Sequence, residues 1–439
     1  MSDRTAEEIL ELASGRFDAA EVYEEASETV SVKFEDNRLK EIRTRQRRGV
    51  GLRVIHEGRI GFASTTDLRE PGNLLEMAGA SAQFGDAAKF EFPAESPRAA
   101  GPDLHDEAVT EVSAAQMVEM GREGLQRSRE ANEDYLFGAG LSRSLRRERI
   151  LNTAGLDCAY QSTDMSSHVE IELVADEGLL RVYEYKDWGR PFGDVMDLTE
   201  EALEKMDRAA TLVPARVEEM PMIFAPKALN NLFTPISVAL NGKRVHKGSS
   251  VLRGRIDERI IDERLTIADD PEVDWAPGSC PFDDEGTPAR RRAIFDAGVL
   301  KTCYADLQTA GLLGIEPTGH GFRGYSSRPS PSSTNVVVEP GETPFEEMLS
   351  GIERGVIVDQ TLGSGQSNLL AGEFSVNVEL GFMVEKGEVR GRVKDCMAAG
   401  NVYEVLRQVE AIGSERRWLG SNCAPPIMVG GLKLAAQGG

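Results

Sequence analysis

Three consecutive carboxylates, Asp283, Asp284 and Glu285, precede a glycine in the segment SCPFDDEGTPARRR, residues 279–292. Clustered carboxylates can act as general acid and base or bind a metal ion. Adjacent side chains of an extended segment diverge, however, so the three cannot all face one site. Acidic residues before glycine favour a tight turn. We therefore expect a turn whose charges pair with the arginines at 290–292.

A glycine- and serine-rich run, GSGQSN at residues 363–368, is a second candidate for chemistry. Its backbone N–H groups could bind an anion or contact a substrate, with Ser367 and Asn368 as the side chains involved. The same composition is also typical of a flexible turn, and this alternative stays open. Neither a GxSxG elbow nor a cysteine in a recognised nucleophile setting occurs in the chain.

The histidines and cysteines do not predict a local metal site. The five histidines are at least 49 residues apart, so no two share a helical face as HExxH-type zinc sites require. A site assembled from distant segments stays open. The five cysteines are scattered, without a CxxC pair, which fits reduced thiols in a cytoplasmic protein.

The charge balance of the chain limits the kinds of partner that it can bind. Fifty basic and 73 acidic residues give a formal net charge of −23, which would repel a nucleic-acid backbone. The basic stretches are short and lack a phosphate-binding loop, so we expect no nucleic-acid partner. No apolar leader is present at the N-terminus and no segment is apolar over the length needed to span a bilayer, so we expect no membrane partner.

The elements of the first half must position these groups. Apolar alternation in AEVYEEA, TVSVKFEDN, RLKEIRTRQ and VGLRVIHEGRIGFAS predicts an antiparallel meander, turning at Asp36-Asn37 and Glu57-Gly58. Thr5 and Glu8 suggest a capping box ahead of a short helix that Gly15 ends. Helices are expected at about 72–84 and about 113–130, followed by long strands of alternating polarity.

A composition change near residue 213 predicts the start of a second domain. There a strand, MPMIFAP, enters a helix at about 226–240, and most of the remainder reads as strands separated by turns. FSVNVELGFMVEKGEVRGRVKD predicts a long hairpin, and NVYEVLRQVEAIG a late helix capped by Asn401. Helices and strands are grouped, so we expect an α+β protein of two domains, 1–212 and 213–439, with a β-rich C-terminal domain.

Residues 279–323 resemble the TldD/PmbA family. The resemblance rests on the DEGTP turn, the DAGVL hairpin, the Thr309-Ala310 pair and the TGxG-x-R segment from Thr318 to Arg323. It continues through PSSTNVVVEPGE, AGEFSVNVELGFMVEKGEV, AAGNVYEVLRQVEAIG and PPIMVGGLKLA, and extends more loosely over the N-terminal meander. The resemblance therefore covers nearly the whole chain in order.

This family contains two related kinds of subunit that typically pair as a heterodimeric peptidase. The TldD kind carries an HExxxH helix that binds zinc together with a C-terminal-region cysteine, and the PmbA (TldE) kind lacks it. Here the corresponding positions, after MPMIFAP, hold Phe233, Thr234 and Val238, and Pro235 should interrupt the helix. Cys423 lies later than the family's ligand cysteine. The resemblance implies no metal in this chain and zinc in a partner.

The resemblance thus implies a non-catalytic subunit of a zinc metallopeptidase that cleaves unfolded or leader peptides. An HExxxH-containing partner would supply zinc and bond cleavage, while this chain contributes half of a substrate chamber. An independent homodimeric peptide-binding protein, or a hydrolase with a non-metal mechanism, remains the alternative. The candidate substrate contacts are Asp284, Glu285, Thr318, Arg323, Ser367 and Asn368.

Overall fold

Long antiparallel strands form the first half of the chain. The computed structural model describes residues 6–69, 71–96, 101–176, 178–191, 195–215, 218–363 and 367–436. The first sheet contains β1 (Ala19–Glu35), β2 (Arg38–His56), β3 (Arg59–Thr65), β4 (Leu136–Asn152), β5 (Asp157–Ala175) and β6 (Gly178–Trp188). Their order is β3-β2-β1-β4-β5-β6, with every neighbouring pair antiparallel. The predicted meander is confirmed.

Two tight turns set the register of this meander. Asp36 and Asn37 have φ values of 49° and 62°, and Glu57 and Gly58 have φ values of 49° and 71°. Positive φ at both central residues matches the right-handed twist of a hairpin, and Asn, Asp and Gly tolerate it best. The local sequence therefore determined both turns. The expected capping box includes Thr5, which lies outside the described residues.

Helices cover one face of the first sheet. They are α1 (Ala6–Ser14), α2 (Pro71–Ala82), α3 (Glu107–Glu111), α4 (Ala114–Ala131) and α5 (Val195–Ala209). A reciprocal capping box between Ser113 and Gln116 starts α4. Alternate residues of β1, including Val22, Val30 and Val32, are buried against these helices. Because side chains alternate along a strand, the residues of β1 between these valines point to the opposite face of the sheet. We call this face of the whole sheet the polar face.

The second half is rich in short strands. These are β7 (Leu212–Val213), β8 (Glu219–Phe224), β9 (Ile267–Asp269), β10 (Arg292–Asp296), β11 (Val299–Leu300), β12 (Gly321–Phe322), β13 (Ser330–Pro331), β14 (Val336–Val338), β15 (Arg354–Leu362), β16 (Glu373–Glu385), β17 (Glu388–Val393), β18 (Cys396–Asn401), β19 (Val409–Ile412), β20 (Arg417–Leu419), β21 (Asn422–Ala424) and β22 (Ile427–Ala436). The α+β prediction is confirmed.

Two larger sheets organise these strands around a core that contains the longest helix of this half. One has the order β15-β8-β22-β18-β16-β17-β7, and the other β11-β10-β9-β14-β21-β20. The helices are α6 (Pro226–Leu240), α7 (Gly242–Lys247), α8 (Leu307–Leu313), α9 (Phe345–Ser350) and α10 (Val402–Val405), with a 3-10 turn at Leu369–Ala371. The predicted hairpin is β16–β17. No helix in the described ranges is long and apolar enough to cross a membrane.

Two local predictions in this half were wrong. The late helix is a single turn, α10, because Val409–Ile412 instead forms β19 against β22. Asn401 does cap it, accepting a hydrogen bond from the backbone of Tyr403 at 3.0 Å. Pro235 does not interrupt α6, which continues to Leu240 although the ring removes one backbone hydrogen bond. Tertiary pairing and packing outweigh the local preference in both cases.

Candidate functional site

The polar face is covered at one end by segments from the second half of the chain. Tyr325 packs over β2 at Gly49 and Gly51, where a side chain would be in the way. A Cβ at Gly49 would lie 2.3 Å from the Tyr325 ring, and one at Gly51 would lie 2.6 Å from its carbonyl oxygen. The GVG sequence of β2 therefore creates the space that Tyr325, two residues after the TGxG-x-R segment, occupies over the sheet.

Buried arginines link the two halves beneath this cover. The Arg53 guanidinium binds both oxygens of Glu21 at 3.0 and 3.1 Å and one oxygen of Glu285 at 2.5 Å. Arg323 Nη2 donates to Glu21 at 2.6 Å and to the carbonyl of Asp284 at 2.8 Å. All four charged side chains of these pairs are at most 3% exposed. Pairs buried this deeply are strongly destabilised when one member is removed.

The carboxylates of Asp283 and Asp284 mainly accept hydrogen bonds from backbone N–H groups. Asp283 accepts hydrogen bonds from the N–H groups of Glu285, Thr287 and Gly321 at 2.9 to 3.0 Å. Asp284 accepts the N–H of Arg323 at 2.6 Å. Burial, and then the charge of Glu148, raise the pKa of Asp284 to about 8, and burial raises the pKa of Asp283 well above its usual range. The turn is thus a structural joint between β1, β2 and the C-terminal half.

The partners that we expected for these acids were wrong. The predicted turn exists, with φ of 79° at Gly286, but its acids do not pair with the arginines at 290–292. Arg291 instead pairs with Asp270 and Glu339, and Arg292 donates to the carbonyl of Thr318. This turn is buried and not solvated, so Glu285 binds the Arg53 guanidinium of β2, and the Arg323 guanidinium donates to the backbone carbonyl of Asp284.

A cleft of about 480 Å³ lies where the cover ends. Its walls on the polar face come from β4, β5 and β6, and its opposite walls come from the loop at 275–280 and from Asp284, Arg323 and Thr334. Burial, and then the charge of Asp187, raise the pKa of Asp164 in this cleft to about 7. Of the predicted substrate contacts, Asp284 and Arg323 line the cleft.

Thr318 belongs to a buried hydrogen-bonded line of an Asp–His–Thr type. His320 lies 3.2 Å from Asp269 and 2.9 Å from the Thr318 hydroxyl. That hydroxyl also donates to the carbonyl of Ala305 at 3.0 Å and accepts its N–H at 2.8 Å. Thr318 is 6% exposed and His320 2%. Because a nucleophile must reach its substrate, this arrangement holds the backbone rather than attacking a carbonyl.

Ser367 and Asn368 lie in a different part of the molecule. Asn368 accepts the N–H of Ala371 at the start of the 3-10 turn, and Ser367 accepts the N–H of Ser375 on β16. The 3-10 turn packs against α6 rather than against the DEGTP turn. Part of the GSGQSN run lies outside the described residues. The structure therefore does not bring these two residues to the cleft.

Helix α6 is where the resemblance places the family's zinc helix, but its side chains do not suit zinc. Phe233 is buried in the core, and the Thr234 hydroxyl donates to the carbonyl of Asn230 at 2.9 Å. Val238 is half-buried and aliphatic, and the sequence of α6 contains no His, Cys, Asp or Glu. Zinc in proteins requires imidazole, thiolate or carboxylate ligands. Among the described residues, no cluster of three or more such side chains is arranged to hold a metal ion.

Cys423 lies on β21, a strand that packs against α6. Its thiol is 1% exposed, and burial raises its pKa to about 11. A thiol binds metal or reacts as its thiolate, which such a pKa disfavours at neutral pH. The residue therefore packs as a small apolar side chain.

Sequence reasoning missed Glu21 and Arg53, the two β-strand residues that anchor the turn. Both carry a signal, because each is a charged residue flanked by apolar residues in a strand. Their partners in the second half, Glu285 and Arg323, however, lie more than 200 residues away along the chain. Only the tertiary structure shows that their charges are buried and compensated.

The fold and site define a protein of two joined α+β halves whose helix α6 offers no zinc-ligating side chain. The family model described as the PmbA/TldA metallopeptidase C-terminal domain matches residues 217–436, and the model of domain 1 matches residues 20–83. The chain belongs to this PmbA/TldD family of metallopeptidase-like proteins.

Similar proteins span almost the entire chain. Metalloprotease PmbA of Escherichia coli is 27% identical, covering 98% of this chain and 94% of that protein. A metalloprotease of Methanothermobacter thermautotrophicus is 26% identical, covering 92% of this chain and 89% of that protein. The crystal structure of TldE from Thermococcus kodakarensis matches with a TM-score of 0.89 and 27% identity, covering 98% of this chain and 99% of that one.

Proposed function

We propose that this chain is the PmbA/TldE-like, non-catalytic subunit of a zinc metallopeptidase that cleaves unfolded or leader peptides. The observation that carries the proposal is the sequence of α6, which contains no His, Cys, Asp or Glu. In the proposed alignment, Phe233, Thr234 and Val238 take the positions of the zinc-binding motif. Without a ligand, no bound water would be activated and no carboxylate is present there to serve as general base. The likeness to a TldE structure over 98% of the chain supports the same subunit type.

The partner in this proposal is an HExxxH-containing, TldD-like subunit. It would supply the zinc ion and the bond cleavage, and this chain would stabilise it and form part of the peptide chamber. We propose a cytoplasmic complex, which the five free thiols support. We also propose that the domains divide at 212/213, within β7, whose pairing with β17 marks the change to the C-terminal sheet.

The test is to purify this chain alone and together with an HExxxH homologue from the same source. Zinc is measured in each sample, and cleavage of an unstructured peptide is followed with and without a chelator. We expect the complex to bind zinc and cleave the peptide, and the lone chain to do neither.

A matched control replaces the motif glutamate of the partner by glutamine. Activity should then disappear although the complex still forms. Zinc and cleavage in the lone chain would overturn the proposal. Cleavage by the lone chain that survives a chelator would instead favour the independent hydrolase with a non-metal mechanism.

A further inference from the structure

Beyond the cover, the polar face is open and its side chains are ordered by charge. Strand β2 presents three arginines at alternate positions, and β1 presents a hydroxyl beside each of them. The pairs are Arg43 with Ser31, Arg45 with Thr29, and Arg47 with Ser27. The arginines are exposed and the hydroxyl residues half-buried. One edge of the open face is therefore basic and its centre carries hydroxyls.

The other edge is acidic. Across β4 the same rows continue through Ser142 and Ser144, which lie opposite Ser166 and Asp164 of β5. Asp187 of β6 lies opposite Ser166. The rows that start at Arg43 and Arg45 thus run through hydroxyl groups to a carboxylate. The row of Arg47 and Ser27 instead continues through Arg146 of β4 to Ser162 of β5.

The groups on this face are available to a ligand. Within the described part of the chain, the hydroxyls of Thr29, Ser142 and Ser144 make no hydrogen bond, and neither do the carboxylates of Asp164 and Asp187. Half-buried polar groups without partners favour a ligand that can satisfy them.

The face is also concave. The cleft of about 480 Å³ already described takes in Ser144, Asp164 and Asp187. A second hollow of about 480 Å³ takes in Ser142 and Arg43. Hydroxyl and charged side chains line both hollows, and the second also takes in Glu35, Glu41 and Glu170. Such a lining suits a small polar ligand better than the apolar centre of a stable subunit interface.

The spacing of the charges sets the size of the ligand. Neighbouring strands are about 4.8 Å apart, so the distance from β2 to β5 is about 14 Å and that from β2 to β6 about 19 Å. An extended peptide advances about 3.3 to 3.6 Å per residue, so roughly five residues span the face. A peptide with free ends carries an ammonium group and a carboxylate at this separation.

We propose that the open polar face binds a short peptide across the strands, with its α-ammonium at Asp164 and Asp187 and its carboxylate at Arg43, Arg45 and Arg47. The hydroxyls between them hydrogen-bond the peptide groups. This inference rests on the proposed function only in taking peptide as the ligand. It assigns the ligand's length and direction and the side chains that recognise each end.

The test uses the full chain and a pentapeptide of glycine, alanine and serine in calorimetric titrations. The peptide is supplied with free ends, with an acetylated amine, and with an amidated carboxylate. Because each block removes a charge-assisted contact, we expect each to weaken binding about tenfold or more.

Paired substitutions identify the two ends. In the double variant D164N and D187N, acetylation of the peptide should no longer weaken binding, whereas amidation should still weaken it. The triple variant R43Q, R45Q and R47Q should show the reverse. Asp207→Asn on α5 and Arg147→Gln on the helix-facing side of β4 are exposed controls and should change neither effect.

Equal affinity for all three peptides would overturn the inference. So would unchanged peptide binding in the face variants together with dissociation of a dimer, since the face would then be a subunit contact. The proposed function fails separately. If the chain prefers peptides with free ends but adds nothing to zinc-dependent cleavage by a partner, only the proposed function is overturned. If the complex cleaves peptides but the chain shows no preference for free ends, only this inference is overturned.

Discussion

Arg53 Nη1 on β2 lies 2.5 Å from Glu285 Oε1 in the DEGTP turn, although 232 residues separate them in the sequence. Arg53 also binds Glu21 of the neighbouring strand. One guanidinium therefore joins the first sheet to the C-terminal half inside the protein. This contact turns an acidic surface motif into an internal joint.

Replacing Arg53 by glutamine should be strongly destabilising. The change leaves Glu285 buried without its cation and Glu21 with Arg323 alone, and breaking such a buried pair typically costs about 3 to 5 kcal/mol. Arg53→Lys should recover only part of this loss, because an ammonium group cannot bind two carboxylates in the fork geometry of arginine. Urea unfolding followed by circular dichroism measures the free energy of unfolding.

Arg122 supplies the control for this measurement. Its pair with Glu119 is about 60% exposed, so Arg122→Gln should cost less than about 1 kcal/mol. Equal losses for Arg53→Gln and Arg122→Gln would show that the buried joint is not important for stability.

The pH dependence of stability should change when Asp284 is replaced by asparagine. Its pKa is about 8 in the folded chain, against about 3.9 when unfolded. A raised carboxyl pKa means that the folded state holds the proton more tightly. The associated stability is therefore complete below about pH 4 and lost as the pH rises towards 8. A carboxamide cannot ionise, so the Asp284→Asn variant should gain stability relative to the native chain by about 1 kcal/mol or more between pH 5 and 8.

Unfolding of both proteins in urea at a series of pH values gives this difference directly. Exposed Asp207→Asn provides the reference and should show little change with pH. A relative stability of the Asp284→Asn variant that falls as the pH rises would contradict the prediction.

Lys227 at the start of α6 should be as important as Arg53. Its ammonium group donates to Glu184 at 2.7 Å and to the carbonyl of Tyr183 at 2.6 Å, and it lies 3.2 Å from Asp359. Lys227→Met should cost about 3 to 5 kcal/mol, because two buried carboxylates lose a cation. Exposed Lys301→Met, the control, should have little effect in the same assay. If Lys227→Met has as small an effect as the control, the ammonium group of neighbouring Lys205 alone balances the charges of Glu184 and Asp359.

The Cys423 thiol should be almost unreactive in the folded protein. Burial raises its pKa to about 11 and leaves it 1% exposed. We expect iodoacetamide at neutral pH to modify it about a hundredfold or more slowly than in the unfolded chain, because the thiolate is the reacting form. Mass spectrometry of proteolytic peptides measures the rate, with half-buried Cys303 as the internal comparison. Equal rates in the folded and unfolded chain would contradict the assignment as a packing residue.

Local physics made several features of the fold predictable. The turns at Asp36-Asn37 and Glu57-Gly58, the meander and the range of α6 all follow from residue preferences and from apolar periodicity. The prediction of a late helix was wrong because a tertiary contact changed the local structure. Residues Val409–Ile412 have a helical pattern in isolation, but β22 offers them a partner and they form a strand.

The candidate site was predictable only in part. The turn at Asp284 was expected, yet its burial and its bonds to Arg323 were not, because they depend on packing between distant segments. Ser367 and Asn368 proved to lie beside the 3-10 turn and α6, away from the cleft.

The sequence by itself determined what each segment could contribute: strands that alternate in polarity, turns where φ must be positive, and a helix α6 without a zinc ligand. The tertiary structure decided which of these contributions meet. Packing of the DEGTP turn on the first sheet placed Arg53 against Glu285, and the register of β2, β1, β4 and β5 aligned arginines, hydroxyls and Asp164 in rows. The physical reason is that alternation fixes only which residues share a face of one strand. Pairing between strands far apart in the chain then determines their neighbours.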